Sequence, residues 1–191
     1  EAIENFLKDR SDDPILGEES QIKELKDDLW IIDPLDGTRN FILEKEHFAI
    51  TLAHRVKGEL VFGMVYNPTT KELWHAGPDR IVKKNGRPLS YQFQNSQVIE
   101  INQKSKGLCM KEIHEDIRAY RYSGSIALSL MKLLEGKRDW FYAEKAYLWD
   151  VAGGIYLLQC MDHSVSISEE GYGPFEVEAS LKEAPKLHLI T

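Results

Sequence analysis

The sequence predicts an α+β protein in which helices layer against antiparallel sheet. Three observations carry that expectation. Short apolar runs separated by tight turns occupy residues 29–88. Helix-period apolar spacing takes over from Ser125. Apolar residues make up 42% of the 191 residues and charged residues 29%, the balance of a chain that buries an ordinary core.

From the start, Glu1–Lys8 puts Ile3, Phe6 and Leu7 on one helical face. No N-cap residue precedes them and Glu1 stands where a Met is expected, so this reading anticipates further sequence upstream. Ser11–Pro14 is a helix exit and turn. Ile15-Leu16 leads into Gly17-Glu18-Glu19-Ser20, and a charged loop runs from Gln21 to Asp28. Leu29–Ile32 is a short apolar run that reads as a buried strand, closed by Asp33-Pro34-Leu35-Asp36-Gly37-Thr38. Phe48–Val56 and Glu59–Tyr66 form a strand pair turning at Lys57-Gly58, Lys71–His75 a third strand, and Asn85-Gly86 a hairpin. These predict an antiparallel meander. Ser125–Leu134 has helical spacing, Asp139–Tyr142 reads as a strand, and Trp149–Leu158 as a second helix. No repeat or flexible linker interrupts the chain. One domain is expected, with the acidic motifs and antiparallel sheet in 1–105 and an α/β half in 106–191.

The net charge of −7 argues against a nucleic-acid binder. It is compatible with an anionic substrate if divalent cations sit between the two. Cys109 and Cys160 form neither a CxxC nor a disulfide framework, and the sequence has no charged-then-apolar leader and no apolar run of about 18 residues. A cytoplasmic protein without membrane partners is the expectation.

Chemistry concentrates in three motifs. Asp33-Pro-Leu-Asp36-Gly-Thr38 sets two carboxylates three residues apart at the end of an apolar strand. Carboxylates this close repel unless a cation or proton intervenes, and hard cations such as Mg²⁺ take oxygen ligands of this kind. Thr38 is expected to cap the next helix. A surface Asx-turn capping a short helix explains the same residues. Glu18-Glu19 also fits a solvated surface, and Asp150 of Trp149-Asp150-Val-Ala-Gly-Gly154 also fits a helix N-cap. Yet Gly153 and Gly154 each disfavour a helix by about 1 kcal/mol relative to Ala, which implies a close approach by something. The six scattered histidines and both cysteines lack paired partners in sequence and are left without a role.

Taken in order, Gly17–Ser20 (GEES), Trp30–Phe41 (WIIDPLDGTRNF) and Leu148–Gly154 (LWDVAGG) resemble the signature of the inositol monophosphatase superfamily. His47–Pro68 is similar to its central strands and Tyr122–Ala127 (YSGSIA) to its GSxA helix start. The resemblance runs from about Ile15 to Leu158. It implies a layered αβαβα sandwich of the inositol monophosphatase and fructose-1,6-bisphosphatase type, here lacking an N-terminal segment. It also implies a Mg²⁺-dependent, lithium-sensitive phosphomonoesterase, often a homodimer, acting on a small phosphate ester such as inositol monophosphate.

On that pattern Glu18, Asp33 and the Leu35 carbonyl bind one ion, and Asp33, Asp36 and Asp150 a second. A third, weaker ion is held through Glu18 and water, with Glu19 behind the ligands. Thr38 and Glu18 orient the attacking water, and the Gly37 and Thr38 N–H groups hold the phosphate. Asp36, Gly124, Ser125 and Ile126 face the leaving group, and no phosphoenzyme forms. Two positions depart from the pattern. Ala143 replaces the glutamate of inositol phosphatases, with Glu144 next to it, and Arg39 replaces Thr or Ser. Both leave open a 3′(2′),5′-bisphosphate nucleotidase of the same superfamily. The family also carries an aspartate in a TxxD segment before the GEE motif, which this sequence does not contain. A truncated, non-catalytic metal- or phosphate-binding form is the remaining alternative.

Overall fold

The computed structural model describes residues 2–20, 24–102, 117–168 and 171–184. Cys109 lies outside them. The amphipathic start forms α1 (Ala2–Lys8). β1 (Ile15–Gly17) runs parallel to β2 (Leu29–Asp36). After α2 (Thr38–Leu43) come β3 (Ala49–Val56), β4 (Glu59–Asn67) and β5 (Glu72–Ala76), the antiparallel meander that the alternation predicts. β6 (Lys83–Lys84) and β7 (Arg87–Pro88) complete a seven-stranded sheet whose spatial order is the sequence order. Lys57-Gly58 and Asn85-Gly86 hold positive φ at the two short turns, the backbone twist that two-residue hairpins need.

The second sheet departs from the antiparallel expectation. It contains β8 (Val98–Asn102), β9 (Ala119–Arg121), β10 (Trp140–Ala146), β11 (Ser164–Ile167) and β12 (Phe175–Ser180), in the order β11-β12-β10-β8-β9. β8 lies parallel to both β9 and β10, while β12 is antiparallel to β10 and β11. Parallel neighbours need a crossover rather than a hairpin, and between β9 and β10 the chain forms α3 (Ile126–Leu134). Because β8 precedes residue 105, the two halves of the chain meet within this sheet.

α3 and α4 (Leu148–Cys160) fill the space between the sheets. Leu130, Leu134, Ile155 and Leu158 pack with Val65 and Trp74 from the first sheet and Phe141 and Val177 from the second. On the far side of the first sheet, Leu7 of α1 packs on Ile15, Ile32 and Leu52. The described residues thus form four layers of an αβαβα sandwich. None of their helices is long and apolar enough to cross a membrane.

The two glycines early in α4 mark its approach to the sheet backbone. A Cβ on Gly153 would meet the Met64 carbonyl oxygen at 2.6 Å and that of Leu52 at 3.1 Å. A Cβ on Gly63 would meet the Gly153 oxygen at 2.6 Å, and one on Gly154 would meet Leu130 Cδ1 at 2.6 Å. Buried Thr51 Oγ1 donates to the Trp149 carbonyl at 3.1 Å, fastening the first turn of α4 to β3. Gly153→Ala is therefore expected to lower the urea midpoint. Overpacking against fixed carbonyls costs about 1–3 kcal/mol, offset only in part by the about 1 kcal/mol that Ala gains as a helix former. A midpoint raised by the substitution would contradict so close a contact.

Candidate metal centre

In a regular strand, residues three apart point to opposite faces. Asp33 and Asp36 escape that rule because the β2–β3 register shifts between them: Asp33 opposes Thr51 and Asp36 opposes Ala49. Pro34 has no N–H for the ladder, so the chain bulges where it sits. The Leu35 N–H folds back onto Asp33 Oδ1 at 2.8 Å. Both aspartates are buried, with relative exposures of 2% and 6%.

Asp36 is bound at the start of α3. Its carboxylate accepts a short hydrogen bond from Ser125 Oγ, one from Ala127 N at 2.9 Å and one from Ile126 N at 3.2 Å. Ser125 is itself the N-cap of α3, accepting from Leu128 N at 3.2 Å. A carboxylate offers about four acceptor sites, so α3 leaves room for a cation. Asp150 arrives from α4. It is not the N-cap but the third helical residue, accepting the N–H of the N-cap residue Tyr147 at 2.8 Å. The first turn of α4 is clamped in place. Tyr147 stacks on Trp149 at 4.6 Å, Trp149 on Tyr172 at 6.1 Å, and Leu148 N donates to the Tyr172 carbonyl at 2.8 Å.

Carboxylate oxygens of Asp33, Asp36 and Asp150 consequently lie within 4.8 Å of one another. No Lys or Arg among the described residues pairs with them. Burial first, then mutual repulsion, pushes the Asp33 carboxyl up to about 7 and that of Asp150 up to about 8. Burial also raises Asp36, to about 6, against its three hydrogen bonds from α3. Three close carboxylates, two buried and that of Asp150 half-buried, without a counter-charge are a donor set that could hold a hard divalent cation.

The remaining expected residues fall around this cluster. Glu18 is exposed and outside the close group, yet its charge raises all three aspartates. Thr38 does not cap α2. Gly37 is the N-cap, at φ 91°, and Thr38 Oγ1 instead donates to the Leu35 carbonyl at 3.0 Å. Ser125 and Ile126 turn to Asp36, and Gly124 packs against Asn40. Glu19 lines a separate groove with Glu4, Lys8, Asp12 and Asp13. Ala143 is fully buried, and the charge of Glu144 joins those of Glu176 and Glu178 around Tyr142. Sequence reasoning passed over Asn40, Tyr147 and Tyr172, whose partners are remote or lie in the backbone. The close approach implied by Gly153 and Gly154 is the sheet and α3, not a ligand.

The raised values fix a pH dependence. In the folded chain the cluster holds protons that an unfolded aspartate, with its ordinary value of 3.8, has released. That contribution to stability is complete below about pH 4 and is lost as pH rises through about 6 to 8. Without divalent cations, the melting temperature is expected to fall across that range. Added Mg²⁺ should raise it more at pH 8 than at pH 5, and Asp150→Asn should stabilise the metal-free protein at pH 8. Equal Mg²⁺ effects at both pH values in thermal melts would contradict this assignment.

Comparison with known proteins identifies the family and the fold. The inositol monophosphatase family model matches residues 2–162. An inositol-1-monophosphatase of Rhizobium meliloti (strain 1021) is 31% identical over 186 residues, covering 91% of this chain and 70% of that protein. A Nus factor SuhB of Pasteurella multocida is 32% identical over 174 residues, which cover 82% of this chain and 64% of that relative's length. Among solved structures, inositol monophosphate-bound SaIMPase-II superposes with a TM-score of 0.80 at 27% identity, covering 94% of this chain and 76% of that one. A Thermotoga maritima IMPase superposes with a TM-score of 0.79 at 27% identity, covering 93% and 73%. The chain belongs to the inositol monophosphatase family.

Proposed function

We propose that this chain forms the core of a Mg²⁺-dependent phosphomonoesterase that hydrolyses a small phosphate ester such as inositol monophosphate. The observation that carries the reading is the convergence of Asp33 and Asp36 of β2 with Asp150 of α4 on one largely buried, uncompensated cluster. The donor set is all oxygen, which suits Mg²⁺. Glu18, Asp33 and the Leu35 carbonyl would hold one ion, Asp33, Asp36 and Asp150 a second, and Glu18 with water a third. Bound there, the ions supply charge neutralisation for the phosphate and a water of lowered pKa.

The chain's own groups do the rest. Thr38 Oγ1 gives its proton to the Leu35 carbonyl, so its lone pairs are free to accept from a water. Glu18, exposed beside the cluster, takes the second proton of that water as its oxygen bonds to phosphorus in line with the leaving oxygen; the ester P–O bond breaks, and the leaving oxygen takes a proton from solvent and departs as the alcohol. The Gly37 and Thr38 N–H groups orient the phosphate, and Asp36 reaches a leaving-group hydroxyl. The Ser125 hydroxyl and the Ile126 N–H are committed to Asp36, so of the expected Gly124, Ser125 and Ile126 it is Gly124 that would meet substrate. Attack is by water, without a phosphoenzyme. Lithium inhibition and a homodimer accompany this reading. A relative named inositol-1-monophosphatase and a similar structure with inositol monophosphate bound support the substrate class.

One observation favours a second substrate class. A cavity of about 530 Å³ lies beside Thr38, lined by Arg39, Asn40, Leu43, Asn102, Tyr122, Ser123 and Gly124. The Arg39 guanidinium has no hydrogen-bond or ion-pair partner among the described residues, and Ala143 offers no carboxylate to a polyol. A substrate with a second phosphate, as in a 3′(2′),5′-bisphosphate nucleotide, would meet that cation. SaIMPase-II with 2′-AMP bound, 26% identical at a TM-score of 0.80, shares the fold.

Phosphate release from inositol 1-phosphate and adenosine 3′,5′-bisphosphate tests both. Release is expected to require Mg²⁺. It should fall in Asp33→Asn by more than about 100-fold, the upper end for loss of a partner outside the metal's ligands. Release that survives chelation or Asp33→Asn would contradict the reading. Arg39→Ala should lower kcat/KM for the bisphosphate and leave inositol 1-phosphate unchanged if the second class is correct, and should affect neither preferentially if it is not.

A further inference from the structure

Asn40 lies on α2, two residues after Thr38, and touches none of the three aspartates by hydrogen bond. Its side-chain nitrogen has two protons, and both are used. It donates to the His47 carbonyl at 3.0 Å and to the Ser123 carbonyl at 2.7 Å. The first bond closes the α2 segment onto the start of β3. The second ties that segment to the loop before α3, 83 residues along the chain.

A separate observation meets the first. Gly124, the next residue of that loop, presents a bare Cα to the amide. A Cβ there would lie 2.7 Å from Asn40 Oδ1 and 2.8 Å from Nδ2. The neighbouring backbone is equally close, since a Cβ on Gly37 would meet the His47 oxygen at 3.0 Å and Ser125 Cβ at 3.3 Å. Three stretches of chain therefore converge on one amide: the turn at Gly37-Thr38, the entry to β3, and Ser123–Ser125. The first and third carry parts of the site. Thr38 hangs from the Leu35 carbonyl on the first, and Ser125 holds Asp36 from the third.

We propose that Asn40 is a positioning residue, whose amide sets where Thr38 stands relative to Asp36. The inference rests on the phosphatase reading above for its catalytic consequence, although the lock itself does not. Asn40 reaches neither metal ligand nor reacting atom, so its loss should misplace the Thr38 turn while leaving the aspartate cluster intact. An Asp at this position keeps the shape but replaces the one nitrogen that carries both donors with an oxygen facing two carbonyls, so shape alone would not rescue it.

The test is a double-mutant cycle of Asn40→Ala and Gly124→Ala, with Asn40→Asp alongside, each read by steady-state phosphate release and by calorimetric Mg²⁺ binding. Asn40→Ala is expected to lower kcat by about tenfold or more, with the Mg²⁺ dissociation constant within about twofold of wild type. Asn40→Asp should do the same. Gly124→Ala should be costly in the wild-type background, through the backbone strain of a side chain at φ 77° and through the clash with the amide, and combination with Asn40→Ala should remove the second part and leave the first. Affinity for inorganic phosphate in Mg²⁺ is measured in the same proteins and should fall in Asn40→Ala. If wild type releases phosphate and Asn40→Ala keeps its kcat, or loses Mg²⁺ affinity in step with kcat, positioning is overturned. Additive effects of the two substitutions overturn it as well. If wild type hydrolyses neither ester but phosphate affinity still falls in Asn40→Ala, the phosphatase reading fails and the lock stands. Unchanged phosphate affinity there overturns the lock.

Discussion

Three carboxylates held together, two of them buried and the third half-buried, are the constraint on which the rest of this structure depends. With oxygens within 4.8 Å, each ionised pair repels by about 3–4 kcal/mol at an effective dielectric of about 20. Left to itself the group would separate, hydrate or take up protons. The fold prevents the first and limits the second. Asp33 and Asp36 sit on one bulged strand, Asp36 is bonded three times to α3, and Asp150 is fixed by the first turn of α4. What remains is protonation or a cation, and that choice links pH, metal and stability in a single site.

The layering follows from the same requirement. α3 and α4 are the two helices sandwiched between the sheets, and each delivers a site group at its starting turn. α4 comes down onto β3 and β4 until glycine faces carbonyl, and buried Thr51 bonds the turn that carries Asp150. Tyr147, buried Trp149 and Tyr172 stack against one another at that turn. Packing of this density keeps a repulsive cluster from relaxing, because interiors yield little to small displacements.

Much of this was legible in the sequence where the signal is local. The strand pair around Lys57-Gly58, the Asn85-Gly86 hairpin, the helix at Ser125 and the acidic motifs are each written in a few neighbouring residues. The parallel strands were not, because Val98–Asn102 pairs with segments many residues away and carries no turn to announce it. Local reasoning also expected Thr38 to cap a helix, and offered an N-cap as the alternative to a metal ligand at Asp150, by residue type. In the fold, Gly37 and Tyr147 occupy those positions, because the bulge and the glycine contacts decide where each helix begins. The anchoring of Asp36 by Ser125, 89 residues away, has no local signature at all. The glycines of α4 announced a close approach but not its partner.

The most direct test of the central claim is where a cation sits. Crystals grown with Mn²⁺ and inorganic phosphate, examined by anomalous scattering at the manganese edge, would locate it. A strong peak is expected among the Asp33, Asp36 and Asp150 carboxylates, with phosphate oxygens between it and the Thr38 turn. Manganese bound elsewhere, with these three carboxylates left free of metal, would contradict it.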